Sequence, residues 1–213
     1  VFVRGGDSPY WDIAFPGDAI YHGDVIYAGT GDSAAMLSLT DMAVFTMKPG
    51  SGIFMNTWTE EEKKLELLSG IVFANVNKMA DDESISIKMS QAVARIRGTT
   101  FVLEDDGVAS ALKVLEGEVE YMSAGGDKIM VGSGERINAF NGSLGKIEKF
   151  SAGDELKVWD EKTQQITEAA LKEKGIVLGR KNNSTAMIII VLLIFAAVSL
   201  TVVLIGKRRK RVG

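Results

Sequence analysis

Apolar and polar positions alternate in short runs over most of the chain, and the runs are cut by Gly, Asp and Ser. Trp11, Ile13 and Phe15 alternate with small or polar residues, which predicts a half-buried strand ended by the turn Pro16-Gly17-Asp18. Gly23-Asp24-Val25-Ile26-Tyr27-Ala28-Gly29-Thr30-Gly31-Asp32-Ser33 predicts another short strand, of about four residues, bracketed by turn signals. Ala35, Leu37 and Leu39 share one phase, and Val44 and Phe45 follow a corner at Thr40-Asp41. Lys48-Pro49-Gly50-Ser51-Gly52 turns the chain again before Ile53-Phe54-Met55. Strands this short, recurring about every eight to twelve residues, read as an all-β domain. Glu60-Glu61-Glu62-Lys63-Lys64 could open a helix, but Leu65, Leu67, Ile71 and Phe73 follow on a period nearer two, so a solvated turn feeding a strand is the reading adopted.

Two runs share a form. Leu65-Glu66-Leu67-Leu68-Ser69-Gly70-Ile71-Val72 and Leu112-Lys113-Val114-Leu115-Glu116-Gly117-Glu118-Val119 are both a strand, a turn and a strand, with Gly where the backbone needs positive φ or close approach. Met47-Lys48-Pro49-Gly50-Ser51-Gly52 pairs more loosely with Met130-Val131-Gly132-Ser133-Gly134. This weak repetition points to a stacked β coil. Between the copies, Ile85, Ile87 and Met89 lie on one phase, Ala92, Ala94 and Ile96 on the other, and Phe101 and Leu103 return to the first. Each change of phase demands a corner or an extra residue, which places corners at Ser90-Gln91 and Gly98-Thr99, with Gly98 as the bulge residue. Arg95 and Arg97 then share one strand face, opposite Ala94 and Ile96.

The pattern changes after residue 150. Leu156, Trp159, Ile166 and Ala170 fall near one helical stripe between Gly153 and Gly175, which predicts an amphipathic helix from Asp154 to Lys174 that packs Trp159 and Ile166 on the β domain or serves as a stalk or oligomer seam. From Ala186 to Gly206 the chain runs 21 residues without a charge. At about 1.5 Å per residue such a helix spans roughly 31 Å, the hydrocarbon thickness of a bilayer. A transmembrane helix is expected there, with Ser199 and Thr201 as its polar side chains. Lys207, Arg208, Arg209, Lys210 and Arg211 follow it and outweigh Arg180 and Lys181 on the other flank, so the C-terminus is expected in the cytoplasm and the rest outside. The expected organisation is a β domain over 1–150, an amphipathic juxtamembrane helix and linker over 151–185, the span over 186–206 and a basic tail over 207–213. Val1 is not Met, and a signal peptide already removed is the expectation this topology carries.

Composition sharpens the picture. The 28 acidic residues all lie before the span, against 19 of the 24 basic ones, so the expected ectodomain is acidic and offers no positive footprint for nucleic acid. The chain has no cysteine, which excludes disulfides and thiolate zinc sites, and an exported domain of this size must rest on its core alone. The expected partners are the lipid bilayer and another envelope or membrane protein, or a second copy.

Val93-Ala94-Arg95-Ile96-Arg97-Gly98-Thr99-Thr100-Phe101-Val102, with Leu112 to Val119 after it and Gly23-Asp24-Val25-Ile26, Gly29 and Asp32-Ser33-Ala34 before it, resembles the FecR domain family in that family's own order. Gly132-Ser133-Gly134-Glu135 resembles the turn that closes the domain, and the likeness runs from about Trp11 to Ala139. The motif residues are Arg97, Gly98, Thr99, Phe101, Glu116, Gly117 and Val119. Ser90-Gln91 departs from the family's Thr-Pro ahead of the arginine strand. The resemblance implies a short, mainly β domain, a right-handed solenoid or a sandwich, non-catalytic and on the outer side of a membrane. The family's namesake regulators place a cytoplasmic anti-sigma bundle before their single span. The expected order here is the reverse, and the tail from Lys207 is too short to fold around a sigma factor, so signalling carries over only if a second chain supplies the cytoplasmic half.

Candidates for chemistry are few. His22 is the single histidine, which leaves no Ser-His-Asp triad or histidine cluster within easy reach. Asp81-Asp82-Glu83 and Glu104-Asp105-Asp106-Gly107 are the candidates for carboxylate chemistry or calcium, though the first reads as a loop, the second as a hairpin, and neither has calcium-loop spacing. Gly29-Thr30-Gly31 and Gly125-Gly126 lack the context of phosphate loops. No catalytic residue, cofactor or metal ligand is expected. Asn141-Gly142-Ser143 is a glycosylation sequon in a surface turn, and Asn182 and Asn183 also fit the pattern close to the membrane. Three functions fit: an anchored binding, scaffold or structural module of the cell envelope; a ligand-sensing or signalling subunit; and, remotely, a cell-wall polysaccharide hydrolase using Asp105 and Asp106.

Overall fold

The computed structural model describes residues 1–173, apart from residues 32, 40, 41, 60, 61, 81 and 82. The strands are β1 (Phe2–Arg4), β2 (Asp12–Ile13), β3 (Val25–Tyr27), β4 (Ala35–Leu39), β5 (Ala43–Met47), β6 (Gly52–Trp58), β7 (Lys63–Val76), β8 (Ile85–Lys88), β9 (Ala92–Ile96) and β10 (Thr100–Asp105). They continue with β11 (Ala109–Glu116), β12 (Glu118–Ser123), β13 (Lys128–Gly132), β14 (Glu135–Phe140), β15 (Ser143–Leu144) and β16 (Glu148–Lys149), and one helix, α1 (Ala152–Glu173), ends the described chain. A first sheet runs β2-β1-β3-β6-β7-β8-β9-β12-β13, and a second runs β4-β5-β7-β10-β11-β14 with β15 and β16 on the far edge of β14.

The two sheets share β7. Its first half pairs with β6 and β8 in the first sheet, and its second half pairs with β5 and β10 in the second. The strand bends between them at Gly70, whose φ is +92°. This is the mainly β fold that the alternation predicts, and the two faces turned toward each other carry it. Phe45, Leu65, Ile85, Ile96, Phe101, Leu103, Leu112 and Tyr121 are almost wholly buried between the sheets. A small apolar gap of about 10 Å³ remains among Phe45, Leu65, Val72, Ile87 and Leu103. It offers no polar partner and stays dry.

The solenoid half of the fold expectation is corrected. A solenoid stacks strands in parallel, coil on coil, whereas among the described residues every pairing except β7 with β8 is antiparallel. The architecture is a sandwich. The sequence repeat is real but is a corner, not a coil: the first copy carries the chain from the first sheet to the second at Gly70, and the second copy carries it back at Gly117, φ +84°. The looser pairing has the same meaning, since Gly50 and Gly134 sit where β5 passes to β6 and β13 to β14. The expected corner at Gly98-Thr99 is the passage from β9 to β10, but the bulge is not at Gly98: the register shifts two residues later, between Thr100 and Phe101.

A second correction concerns the N-terminal arm. Trp11, Ile13 and Phe15 are not half-buried but 47%, 65% and 59% exposed. They lie on or beside β2, the outermost strand of the first sheet, and alternation tells which residues share a face without telling whether anything covers it.

Helix α1 matches its prediction to within two residues. Ser151 begins it, its hydroxyl accepting from the Asp154 amide at 3.4 Å, and Asp154 and Glu155 place negative charge in the first turn, where the helix dipole favours it. The helix crosses the outside of the second sheet from β11 toward β4. Trp159 is fully buried there with Val102 and Leu115, while Ile166 is only half-buried. The expected span 186–206, the linker before it, Asn182, Asn183 and the basic residues Lys207, Arg208, Arg209, Lys210 and Arg211 lie outside the described residues. Among the described residues no helix is long and apolar enough to cross a membrane.

Candidate functional site

The motif residues converge on one pair of neighbouring corners. Gly98, φ +82°, lies so close to Lys78 that a Cβ there would stand 2.6 Å from the Lys78 Cα. Thr99 is buried, and its carbonyl accepts from the Val76 amide at 3.0 Å. Gly117 packs on the same place, since its own Cβ would meet the Thr99 Cγ2 at 2.7 Å. Phe101 and Val119 drop into the core from the two sides, while Arg97 and Glu116 stay exposed at the surface. The Arg-Gly-Thr and Glu-Gly motifs are thus brought together as a stacked double corner. Arg95, on the same strand face as Arg97, lies 3.7 Å from Glu120 on β12.

The candidate carboxylates are committed elsewhere. Asp105 is buried at the end of β10, and its Oδ2 accepts from the Ser90 amide at 2.8 Å, the Ser90 hydroxyl at 2.9 Å and the Ser110 hydroxyl at 2.6 Å. Its Oδ1 accepts from the Gly107 amide at 2.9 Å. The Ser110 hydroxyl oxygen in turn accepts from the Gln91 amide at 2.9 Å, and the Gln91 side-chain oxygen accepts from the Gly142 amide at 3.2 Å. This network holds the Ser90-Gln91 corner against the β10–β11 and β14–β15 hairpins, which is how the chain closes that corner without a proline. Sequence reading flagged Asp105 for chemistry and missed this role, because its donors come from residues 15 positions away as well as from its own hairpin. Replacing Asp105 with Ala takes the acceptor from the buried Ser110 hydroxyl and from the Ser90 amide and hydroxyl, and is expected to cost about 3 kcal/mol in denaturant unfolding.

Asp106 faces solvent at the hairpin tip, where the backbone N–H groups of Ala109 and Val108 hold its carboxyl below the usual range. Tyr121 lies fully buried, and its hydroxyl has no hydrogen-bond partner among the described residues. Burial, with the Asp105 charge adding, pushes that hydroxyl well above the ordinary tyrosine range. Because the folded value is raised, the unfolded chain loses the proton first, and stability falls as pH rises through about 10. Tyr121→Phe is expected to raise stability by about 1 kcal/mol at neutral pH and to remove that alkaline loss, read from urea midpoints at pH 7 and pH 11.

The remaining candidates are surface features. His22 sits in an exposed turn with Nδ1 3.3 Å from the Asn56 carbonyl oxygen. Glu83 lies 3.3 Å from Lys63, while Asp81 and Asp82 are outside the described residues. Gly125 packs against Gly142, and its amide donates to the Gly142 carbonyl at 2.9 Å. Asn141 is exposed with φ +49° ahead of Gly142 at +75°, the two-residue turn of the β14–β15 hairpin, so the sequon stands at a surface tip as expected. Among the described residues no three His, Asp or Glu side chains are grouped to hold a metal.

The FecR protein family model matches residues 24–120. Two crystal structures of a candidate anti-sigma factor from Parabacteroides distasonis are similar in fold: one at TM-score 0.55 and 18% identity over 63% of each chain, the other at TM-score 0.52 and 18% identity over 60% of each. The chain therefore spans less than two thirds of those proteins, and at that identity the likeness is one of fold. No curated protein matches. The double corner built from Arg97, Gly98, Thr99, Phe101, Glu116, Gly117 and Val119 falls inside the matched stretch, and residues 24–120 are a FecR-family domain.

Proposed function

We propose that the chain is a non-enzymatic envelope protein whose FecR domain is a binding or scaffold module, held to the membrane by residues 186–206 with the basic tail in the cytoplasm and the β domain outside. The observation that carries the reading is the commitment of Asp105, the buried member of the carboxylate pair, to four hydrogen bonds within the fold. A carboxylate spent on closing a corner is a poor acid or nucleophile, which argues against the hydrolase. The partner is another envelope or membrane protein, or a second copy. Cross-linking in intact cells followed by detergent extraction is expected to recover the chain in a covalent complex, and recovery of monomer alone counts against the proposal. Protease added to whole cells is expected to cut within the β domain; protection until lysis reverses the topology.

A sensing role is the second reading, favoured by the family match and by the fold shared with a candidate anti-sigma factor. It requires a second membrane protein to pass the signal on, with Ser199 and Thr201 as a helix contact. Loss of the span without loss of response excludes that coupling.

A further inference from the structure

The outer face of the first sheet is divided. Toward β13 it carries charge, with Lys88 3.5 Å from Glu66, Arg95 3.7 Å from Glu120 and Lys128 3.9 Å from Glu120. Toward β2 it is apolar. Phe2 stands directly across from Ile13 on one side and Tyr27 on the other, so the three share a face, while Val3 and Ile26 turn to the core. The row continues past β6 because Gly52 leaves the space open: a Cβ there would meet Tyr27 at 3.5 Å and Leu68 at 3.6 Å. Trp11 closes on Tyr27 edge to face at 6.3 Å, and the Arg4 guanidinium lies 5.3 Å from the Trp11 ring centroid. Ile13, Phe2, Leu68 and Trp11 are 65%, 40%, 48% and 47% exposed, so this is a contiguous aromatic and aliphatic surface facing water.

Two further observations say what covers it. Helix α1 starts on the β11 side of the second sheet and reaches β4, which residues 28–34 join to β3, and in that loop a Cβ at Gly29 would stand 3.3 Å from the Phe2 ring, so the helix runs toward the strand that the chain ties to the apolar row. From there residues 174–185, which can reach at most about 40 Å when extended, lead to the 21-residue uncharged run. Of the nearby carboxylates, Asp18 accepts from the Phe15 amide at 2.7 Å, Asp24 accepts from the Tyr21 amide at 2.8 Å, and Asp12, across from Val3, alternates to the other side of β2 from Ile13. The charge that touches the row is the Arg4 cation, which suits a phosphate headgroup, and Trp and Tyr rings are the side chains that settle at that depth of a bilayer. We propose that the face formed by Phe2, Trp11, Ile13, Tyr27 and Leu68 rests on the lipid surface to which the chain is anchored, fixing the orientation of the FecR domain. The inference rests on the anchoring of residues 186–206.

Tryptophan emission tests it, because Trp11 is exposed whereas Trp58 and Trp159 are 8% and 0% exposed and the uncharged run contains no tryptophan. The full chain is reconstituted in phosphatidylcholine vesicles with brominated acyl chains, which quench rings they touch, and flotation after an alkaline wash reports anchoring separately. The expected result is anchored protein with partial loss of emission, a loss that disappears in Trp11→Phe and is relieved by Ile13→Asp. Anchored protein with unquenched Trp11 overturns the inference and leaves the anchor standing. A blue shift that grows with protein density without quenching assigns the face to a second copy and also overturns it. Protein that washes off the vesicles overturns the anchoring and the inference together.

Discussion

Replacing Gly70 with Ala is expected to cost about 4 kcal/mol, a large share of the roughly 5–15 kcal/mol that holds a domain folded. Three effects add. The φ of +92° is one an L side chain rarely adopts, at about 1–2 kcal/mol. The new Cβ would stand 2.5 Å from both the Ser51 Cα and Oγ, and overpacking against backbone costs about 1–3 kcal/mol more. Ser51 cannot move aside freely, since its hydroxyl accepts from the Ile71 amide at 2.9 Å and donates to the Ile71 carbonyl at 2.9 Å. Because β7 belongs to both sheets, the strain falls on the strand that joins them, and cooperative loss of the whole sandwich is the expected outcome in urea unfolding followed by circular dichroism. Gly107→Ala is the control: its φ of +85° is as unfavourable, but a Cβ there meets nothing within 4 Å, so only about 1–2 kcal/mol is expected. Equal losses at the two positions would show that backbone conformation alone, and not the meeting of the two corners, matters at Gly70.

The same glycine marks how far the fold was legible from the sequence. Period-two alternation located the strands well, and the phase changes at Ser90-Gln91 and Gly98-Thr99 are a hairpin corner and a passage between sheets. What alternation could not give was pairing. Leu65 to Val72 and Leu112 to Val119 look the same whether each turns a coil or crosses between sheets, and only the partners of the two halves of β7 decide. The exposed face at β2 was hidden for a related reason, since Trp11-Asp12-Ile13 alternates equally well with its apolar side in water. The motif residues around Gly98 and Gly117 were readable because family resemblance and local turn chemistry agree there. Asp105 was read correctly as part of a hairpin, but its corner-closing role was not legible because it depends on Ser90, a residue that this hairpin does not contain.

Trp159→Ala is expected to free helix α1 while leaving the sandwich folded, with a loss of about 4 kcal/mol in docking free energy, as for other buried tryptophans cut to alanine. The indole is stacked on Phe73 with centroids 5.2 Å apart and an interplanar angle of 18°, and the Lys48 ammonium sits 4.6 Å from its centroid. Its Nε1 donates to Glu155 at 3.0 Å, and Glu155 lies 3.6 Å from Lys113, which is itself 2.9 Å from Glu104 on β10. The helix thus meets the second sheet mainly through one side chain and the charges that frame it. The cluster of Val102, Leu115 and Trp159 is separate from the core between the sheets, so emptying it uncovers one outer face without opening the interior. A released helix of this length is marginal alone in water. Hydrogen exchange is expected to show amides 155–168 losing protection while those of β7, β10 and β11 keep theirs; unfolding of strands and helix in one step would make α1 part of the core itself. Trp159→Phe keeps the stack and loses the bond to Glu155, and the expected cost falls to about 1 kcal/mol. The outcome bears on function directly, because α1 is the segment through which any pull from the C-terminal side reaches the FecR domain, and its grip on Phe73 places that load on β7, the strand both sheets share.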